Sequence, residues 1–278
     1  MKLRTLTTLV ILATANLILP VDSDSAVPSH VQQMKQTRGD CEGCDLSGAN
    51  FAGMNFRGAR LFRANLNGAN LVRANLTGAD LTETKLRGAN LSGAALSGAI
   101  FKQTEVYGAN LSGVNFTQVN FSYYVNFDRS TLIGANFSGK NLSYISFYGS
   151  NLSRVNFTGA VGRGKSFSET VLTGAVFNYA NFTNSSFSEA NLVGASLVAA
   201  NLEQSRFHRS NLSGANLRGA KLRNATLSET ILVRANLTGA DLSNANLRNS
   251  DLTGAIIEGA NLCRTTLPDG RISRYGCP

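Results

Sequence analysis

The stretch ANLNGANLVRANLTGADL, Ala64 to Leu81, returns leucine at positions 66, 71, 76 and 81. A beat of five fits neither the helical nor the strand period, so the segment belongs to a repeat and not to a conventional element. Followed outward, every fifth residue from Leu46 to Phe121 is Leu or Phe except Val106. One extra residue enters in SYYVN, Ser122–Asn126, and the beat then runs from Phe127 to Leu267, broken only by Gly162 and Ile257. Two residues before each centre sits a small side chain, as at Ala49, Ala59, Ala64 and Ala69, with Asn or Asp one before and often Gly two after. Gly in that last place suits a corner at positive φ.

The motif A-(N/D)-L-x-G, repeated through residues 44–267, resembles the pentapeptide-repeat proteins. The resemblance implies an all-β fold, a right-handed quadrilateral β-helix in which four pentapeptides form one square coil of twenty residues. The central Leu or Phe and the small residue would point inward, and backbone groups would pair with the coils above and below. Phe127, Phe147, Phe167, Phe187 and Phe207 fall twenty apart, as do Phe137, Phe157 and Phe177, and stacked aromatics on one wall account for both series. The first series passes Gly162 unshifted, so that break keeps the phase. Forty-five pentapeptides predict about eleven coils and a rod of about 50 Å.

The ends of such a rod need covers. Residues 27–43, with HVQQMKQTRGDC, are read as a short N-terminal cap with a helix through Val31 and Met34, and residues 268–278 as a C-terminal cap. Both flanks resemble exported pentapeptide-repeat proteins of photosynthetic bacteria and the chloroplast lumen. The cysteines lie in the caps, and bridged Cα atoms must lie within about 7 Å. The length of the rod therefore leaves Cys41–Cys44 and Cys263–Cys277 as the expected disulfides, and it separates the four too far for a shared metal site. Residues 1–26 have a basic start (Lys2, Arg4), the apolar run LTTLVILATANLIL and a small-residue zone ending at Ala26, the pattern of a signal peptide. Its removal takes away two positive and two negative charges and leaves the net charge at +9. The expected location is an exported one: periplasm, thylakoid lumen or extracellular space.

The rest of the composition bears on function mainly by exclusion. With 43% hydrophobic residues the chain is neither disordered nor a multi-span membrane protein. It has two histidines, His30 in the cap and His208 facing outward, and no phosphate-loop, HExxH or GxSxG motif. A rod filled with Leu and Phe offers no pocket, so the expectation is a non-enzyme without cofactor or metal, an interaction or structural rod for an unknown protein partner, with a homodimer among the possibilities. Some family members bind topoisomerases by imitating duplex DNA; a net charge of +9 is the wrong sign for that, and basic residues form no stripe for nucleic acid. With faces counted 1 to 4 from Leu46, faces 4 and 1 carry thirteen outward basic and ten acidic residues, and faces 2 and 3 only five and two. Faces 2 and 3 thus present a neutral Asn/Ser/Thr surface suited to lying on a flat object.

The repeat breaks its own rules in three places: the extra residue in Ser122–Asn126, Lys140 in a small inward slot, and Val161–Ser166, where Gly162 replaces a centre and Lys165 a small residue. A lysine does not stay buried unpaired, so the backbone is expected to bulge there and release both side chains. By the face count these departures share face 4 or its corner with face 1, together with Tyr123, Tyr124, Tyr144, Tyr148, Arg129 and Arg163. Tyrosine and arginine are enriched at binding hot spots, and this mid-rod corner is the expected partner-binding site.

Overall fold

In the computed structural model, residues 27–37 and 39–278 are described; the segment read as a signal peptide lies outside them. From Asp45 onward the chain winds as a parallel β-helix. Residues pair with partners twenty positions on, as in Asn65 with Lys85 and Asn181 with Asn201, and twenty-one positions on across the insertion, as in Asn110 with Thr131. The straight runs are too short to count as strands except near the insertion. There β1 (Ile100–Lys102) pairs with β2 (Asn120–Ser122), and β3 (Val125–Asn126) with β4 (Ile145–Ser146), all in parallel.

One repeat shows why the motif has its five letters. In Ala74–Gly78, Ala74 N–H closes the corner on Leu71 C=O at 3.0 Å, and Asn75 N–H reaches back one coil to Met54 C=O at 2.9 Å. Leu76 N–H reaches forward to Ala95 C=O at 2.8 Å, and Gly78 N–H to Ser97 C=O at 2.8 Å. The remaining donor, Thr77 N–H, bonds to the side-chain Oδ1 of Asn75 at 3.1 Å. All five amides are satisfied, and the Asn before each centre is there because its side chain takes the donor the ladder misses. The last letter is a corner at positive φ, 69° at Gly78.

The centres and small residues fill the interior, where Leu66, Ala69, Leu71 and Ala74 are fully buried. The two phenylalanine series stand on two walls rather than one, because their ten-residue offset is half a coil. Phe147, Phe167 and Phe187 stack at 5.7 and 5.0 Å, while Phe137 meets Phe147 edge-on at 5.5 Å across the core. Gly162 keeps the phase as expected, with Val161 paired to Asn181. The space of its missing side chain is taken by Phe182, whose ring would lie 2.4 Å from a Cβ placed on Gly162.

Helix α1 (Pro28–Gln36) covers the first coil with Met34 buried and Val31 packed against the core. Beside it Cys41 and Cys44 are bridged with Cα atoms 5.4 Å apart, and at the other end Cys263 and Cys277 with 4.7 Å. The C-terminal segment folds back on the last coil, pairing Ile272 antiparallel to Thr266. It covers only part of that coil, leaving the centre Ile257 42% exposed.

Candidate partner-binding site

The regular ladder fails at three steps, two of them at lysines that break the repeat. Among the described residues no parallel pair joins Asn120 to Asn141, or Ser146 to Ser166, or Ala95 to Asn115. Two lysines account for the first two gaps. Lys140 turns its ammonium back into the rod, donating to the carbonyls of Val119 at 2.8 Å and Thr117 at 3.4 Å. Lys165 does the same one coil and one face later, donating to Ser143 C=O at 2.6 Å and Ile145 C=O at 3.1 Å. At a closed step of the ladder the carbonyl equivalent to Val119 or Ile145 accepts a backbone amide of the next coil, as Ala59 C=O accepts Asp80 N–H. The expectation that bulging would release both lysines to solvent is therefore corrected: the ammonium groups are paired with main-chain oxygens, and both side chains are half-buried. Partial burial in turn lowers the pKa of each below the ordinary lysine range.

Each lysine also alters the corner before it. With Thr117 C=O turned toward Lys140, Gly98 N–H bonds to Gln118 C=O instead, and with Ser143 C=O held by Lys165, Val125 N–H bonds to Tyr144 C=O. Every corner residue from Gly48 to Arg264 has positive φ except Gln118 and Tyr144. The rotation at Gln118 accompanies the third gap, an open groove of about 310 Å³ lined by Ala94 to Ser97, Asn115, Thr117 and Gln118.

Of the residues singled out by sequence, Tyr123 and Tyr144 are brought together. They line one shallow groove of about 420 Å³ with Phe121 and Ser122, and their side chains are 60% and 59% exposed. Phe121, a centre that should be buried, is partly exposed beneath them, and the Lys140 ammonium lies 5.7 Å from its ring. Tyr124 is exposed beside Tyr123, and Arg163 is exposed one coil beyond Ser143. Tyr148 and Arg129 belong to the adjoining face, where Arg129 N–H donates to Tyr148 C=O at 2.8 Å. The Tyr148 hydroxyl donates to Glu169 at 2.9 Å, and this bond together with the Glu169 charge raises its pKa. Two residues were missed. Lys102 sits 5.0 Å from the Tyr123 ring, and Tyr107 has Arg87 and Arg129 each 6.0 Å from its ring. Lys102 pairs with Ser122, next to Tyr123, and Tyr107 precedes Gly108, whose N–H bonds to the carbonyl of Asp128 next to Arg129, so following the coil register across the insertion would have found both. The described residues hold no group of His, Cys, Asp or Glu spaced for a metal ion, and no helix long and apolar enough to cross a membrane.

The family models for pentapeptide repeats match residues 40–118 and 126–161, and the model for a pentapeptide repeat region matches 163–257. No curated protein is similar enough to the chain to count as a relative. Among solved structures, the chain is similar to HetL, a pentapeptide repeat protein of the cyanobacterium Nostoc involved in heterocyst differentiation regulation. The identity is 26% over 88% of this chain and 98% of that one, with a TM-score of 0.43. It is also similar to QnrB1, a plasmid-mediated fluoroquinolone resistance protein, at 25% identity over 69% of this chain and 88% of that one, with a TM-score of 0.33. A pentapeptide repeat protein of the Arabidopsis thaliana thylakoid lumen matches at 30% identity over 51% of this chain and 70% of that one, with a TM-score of 0.16. With the repeat, its twenty-residue coil and the family models in agreement, the chain belongs to the pentapeptide-repeat family and folds as a right-handed β-helix.

Proposed function

We propose that this protein is a non-enzymatic interaction rod whose partner, another protein, docks on the mid-rod corner around Tyr123, Tyr124 and Tyr144. Arg129, Tyr148 and Arg163 form its rim, and Lys140 and Lys165 act from behind by holding the corner open. One observation carries the reading: the ladder gap between Asn120 and Asn141 lies at the tyrosine groove, and the gap between Ser146 and Ser166 lies on the adjoining face. A solenoid built only to be stiff gains nothing from them, since each gap forfeits backbone pairing and each lysine loses solvent. Local departures from a consistent pattern mark sites kept for function. The full reading is a quadrilateral rod of about eleven coils, residues 44–267, with caps at 27–43 and 268–278. A signal peptide at 1–26 would deliver it to the periplasm, thylakoid lumen or extracellular space. Topoisomerase binding by DNA mimicry fits less well, because a net charge of +9 repels the surface that holds DNA.

The test is affinity capture from the organism's exported fraction with the mature chain. Tyr144→Ala combined with Arg163→Ala should abolish capture of the partner with little change in melting temperature, while Arg218→Ala, on another face, should not affect it. Retention of the same partner by the double variant would refute the site.

A further inference from the structure

The two disulfides differ in accessibility. Cys41 and Cys44 are 0% and 5% exposed, whereas Cys277 is exposed and Cys263 half-buried. The C-terminal bridge also holds something that little else holds. Leu262 N–H donates to Tyr275 C=O at 3.2 Å, Arg264 N–H to Ser273 C=O at 2.9 Å, and Ser273 N–H to Thr265 C=O at 2.9 Å. Apart from Ser273, no residue of 268–278 is buried, and its large side chains Ile272 and Tyr275 are 60% and 63% exposed. Without apolar burial, a short antiparallel segment at a sheet edge is weakly held. The charge around the sulfurs is suited to exchange as well. Arg223 and Arg264 line the same open pocket of about 500 Å³ as Cys263 and Cys277, with Asp241 as its acidic member. Neither arginine is in a salt bridge among the described residues, and nearby guanidinium groups favour a thiolate.

We propose that Cys263–Cys277 is a thiol-exchange site, opened by the dithiol of a disulfide reductase, and that its opening uncovers the edge of the last coil. The reductant's thiolate attacks the exposed Cys277 sulfur and forms a mixed disulfide. The electron pair of the broken bond leaves on Cys263, where Arg223 and Arg264 stabilise it. The reductant's second thiolate then attacks its own sulfur in the mixed disulfide and releases Cys277 as a thiolate. The protein gains two electrons, and the reductant becomes a disulfide. The freed segment no longer pairs with Leu262, Arg264 and Thr265, and their backbone groups become an edge open to strand addition. Cys41–Cys44, sealed at the other end, remains closed.

The experiment treats the oxidised chain with dithiothreitol under native conditions, quenches with acid at intervals, alkylates, and maps modified cysteines by mass spectrometry. Cys263–Cys277 should open at least about tenfold faster than Cys41–Cys44, and Arg223→Gln with Arg264→Gln should slow that opening by about threefold or more. Hydrogen exchange should show Leu262 and Arg264 losing protection after opening while Leu76 keeps it. Cys263→Ser with Cys277→Ser should show the same exchange pattern without reductant. Equal opening rates at the two ends, or an opened bridge that leaves Leu262 and Arg264 protected, would overturn the proposal.

Discussion

At the scale of single residues, the interior is a set of paired size choices. Gly162 and Phe182 are one such pair, since a side chain at 162 would strike the Phe182 ring. Gly162→Leu restores the motif's letter but overpacks the core and should destabilise by about 1–3 kcal/mol. Phe182→Leu alone leaves a void beside Gly162 and should also destabilise. The double variant restores the usual Leu-over-Leu stacking, so its loss should be smaller than the sum of the two. Urea denaturation of all four proteins measures that coupling, and strict additivity would mean that Phe182 does not fill the glycine's space. Exposed ion pairs stacked along the corners, such as Arg63 with Glu83 at 2.7 Å, add little by comparison.

At the scale of the element, the unit is the step between two coils, and Lys165 converts a closed step into an open one. With Lys165→Ala, Ser166 N–H can return to Ile145 C=O, and with Tyr144→Gly the corner regains a residue that tolerates positive φ. Restoring two or three backbone bonds should raise unfolding stability by about 1–3 kcal/mol while removing partner capture; a less stable double variant would show that the lysine supports the fold. The two lysines also predict a pH dependence. Burial sets their folded pKa below the ordinary value of 10.5. Between the lowered value and 10.5 the unfolded chain binds more protons than the fold, so stability rises with pH through that window and levels off above it. Lys140→Met with Lys165→Met should flatten that rise in urea midpoints, relative to the wild-type chain, on the alkaline side below pH 10.5.

For the whole molecule, stability is a chain of neighbour-to-neighbour contacts, so a weakened step lowers protection locally. The ladder gaps run over consecutive faces in the middle of the rod, between well-paired coils on both sides. Native-state hydrogen exchange should therefore find a minimum at the Asn115, Asn141 and Ser166 amides, with Asn75 and Asn181 exchanging far more slowly. Uniform protection along the rod would mean that the gaps are closed in solution. The same minimum would place the docking corner where the rod deforms most readily, giving a partner a surface that can adjust.

How much of this was legible in the chain follows from the range over which each feature acts. The beat of five decides which side chains point inward, and the phenylalanines twenty apart agree with the coil length that the family resemblance implies; both are read from residues along one path. The insertion at Ser122–Asn126, the unshifted phase past Gly162 and the cysteine pairing were legible for the same reason. The tertiary structure alone decided the contacts between coils: Phe182 in the space of Gly162 and, above all, the direction of the lysines. Whether an ammonium leaves for water or turns onto carbonyls depends on oxygens twenty or more positions earlier, freed only once the amide that would bind them has moved away. Gln118 and Tyr144 occupy the corner position that Arg63 and Glu83 also occupy at positive φ, so their own letters carry no sign of the difference. Their conformation was set by a lysine one coil away.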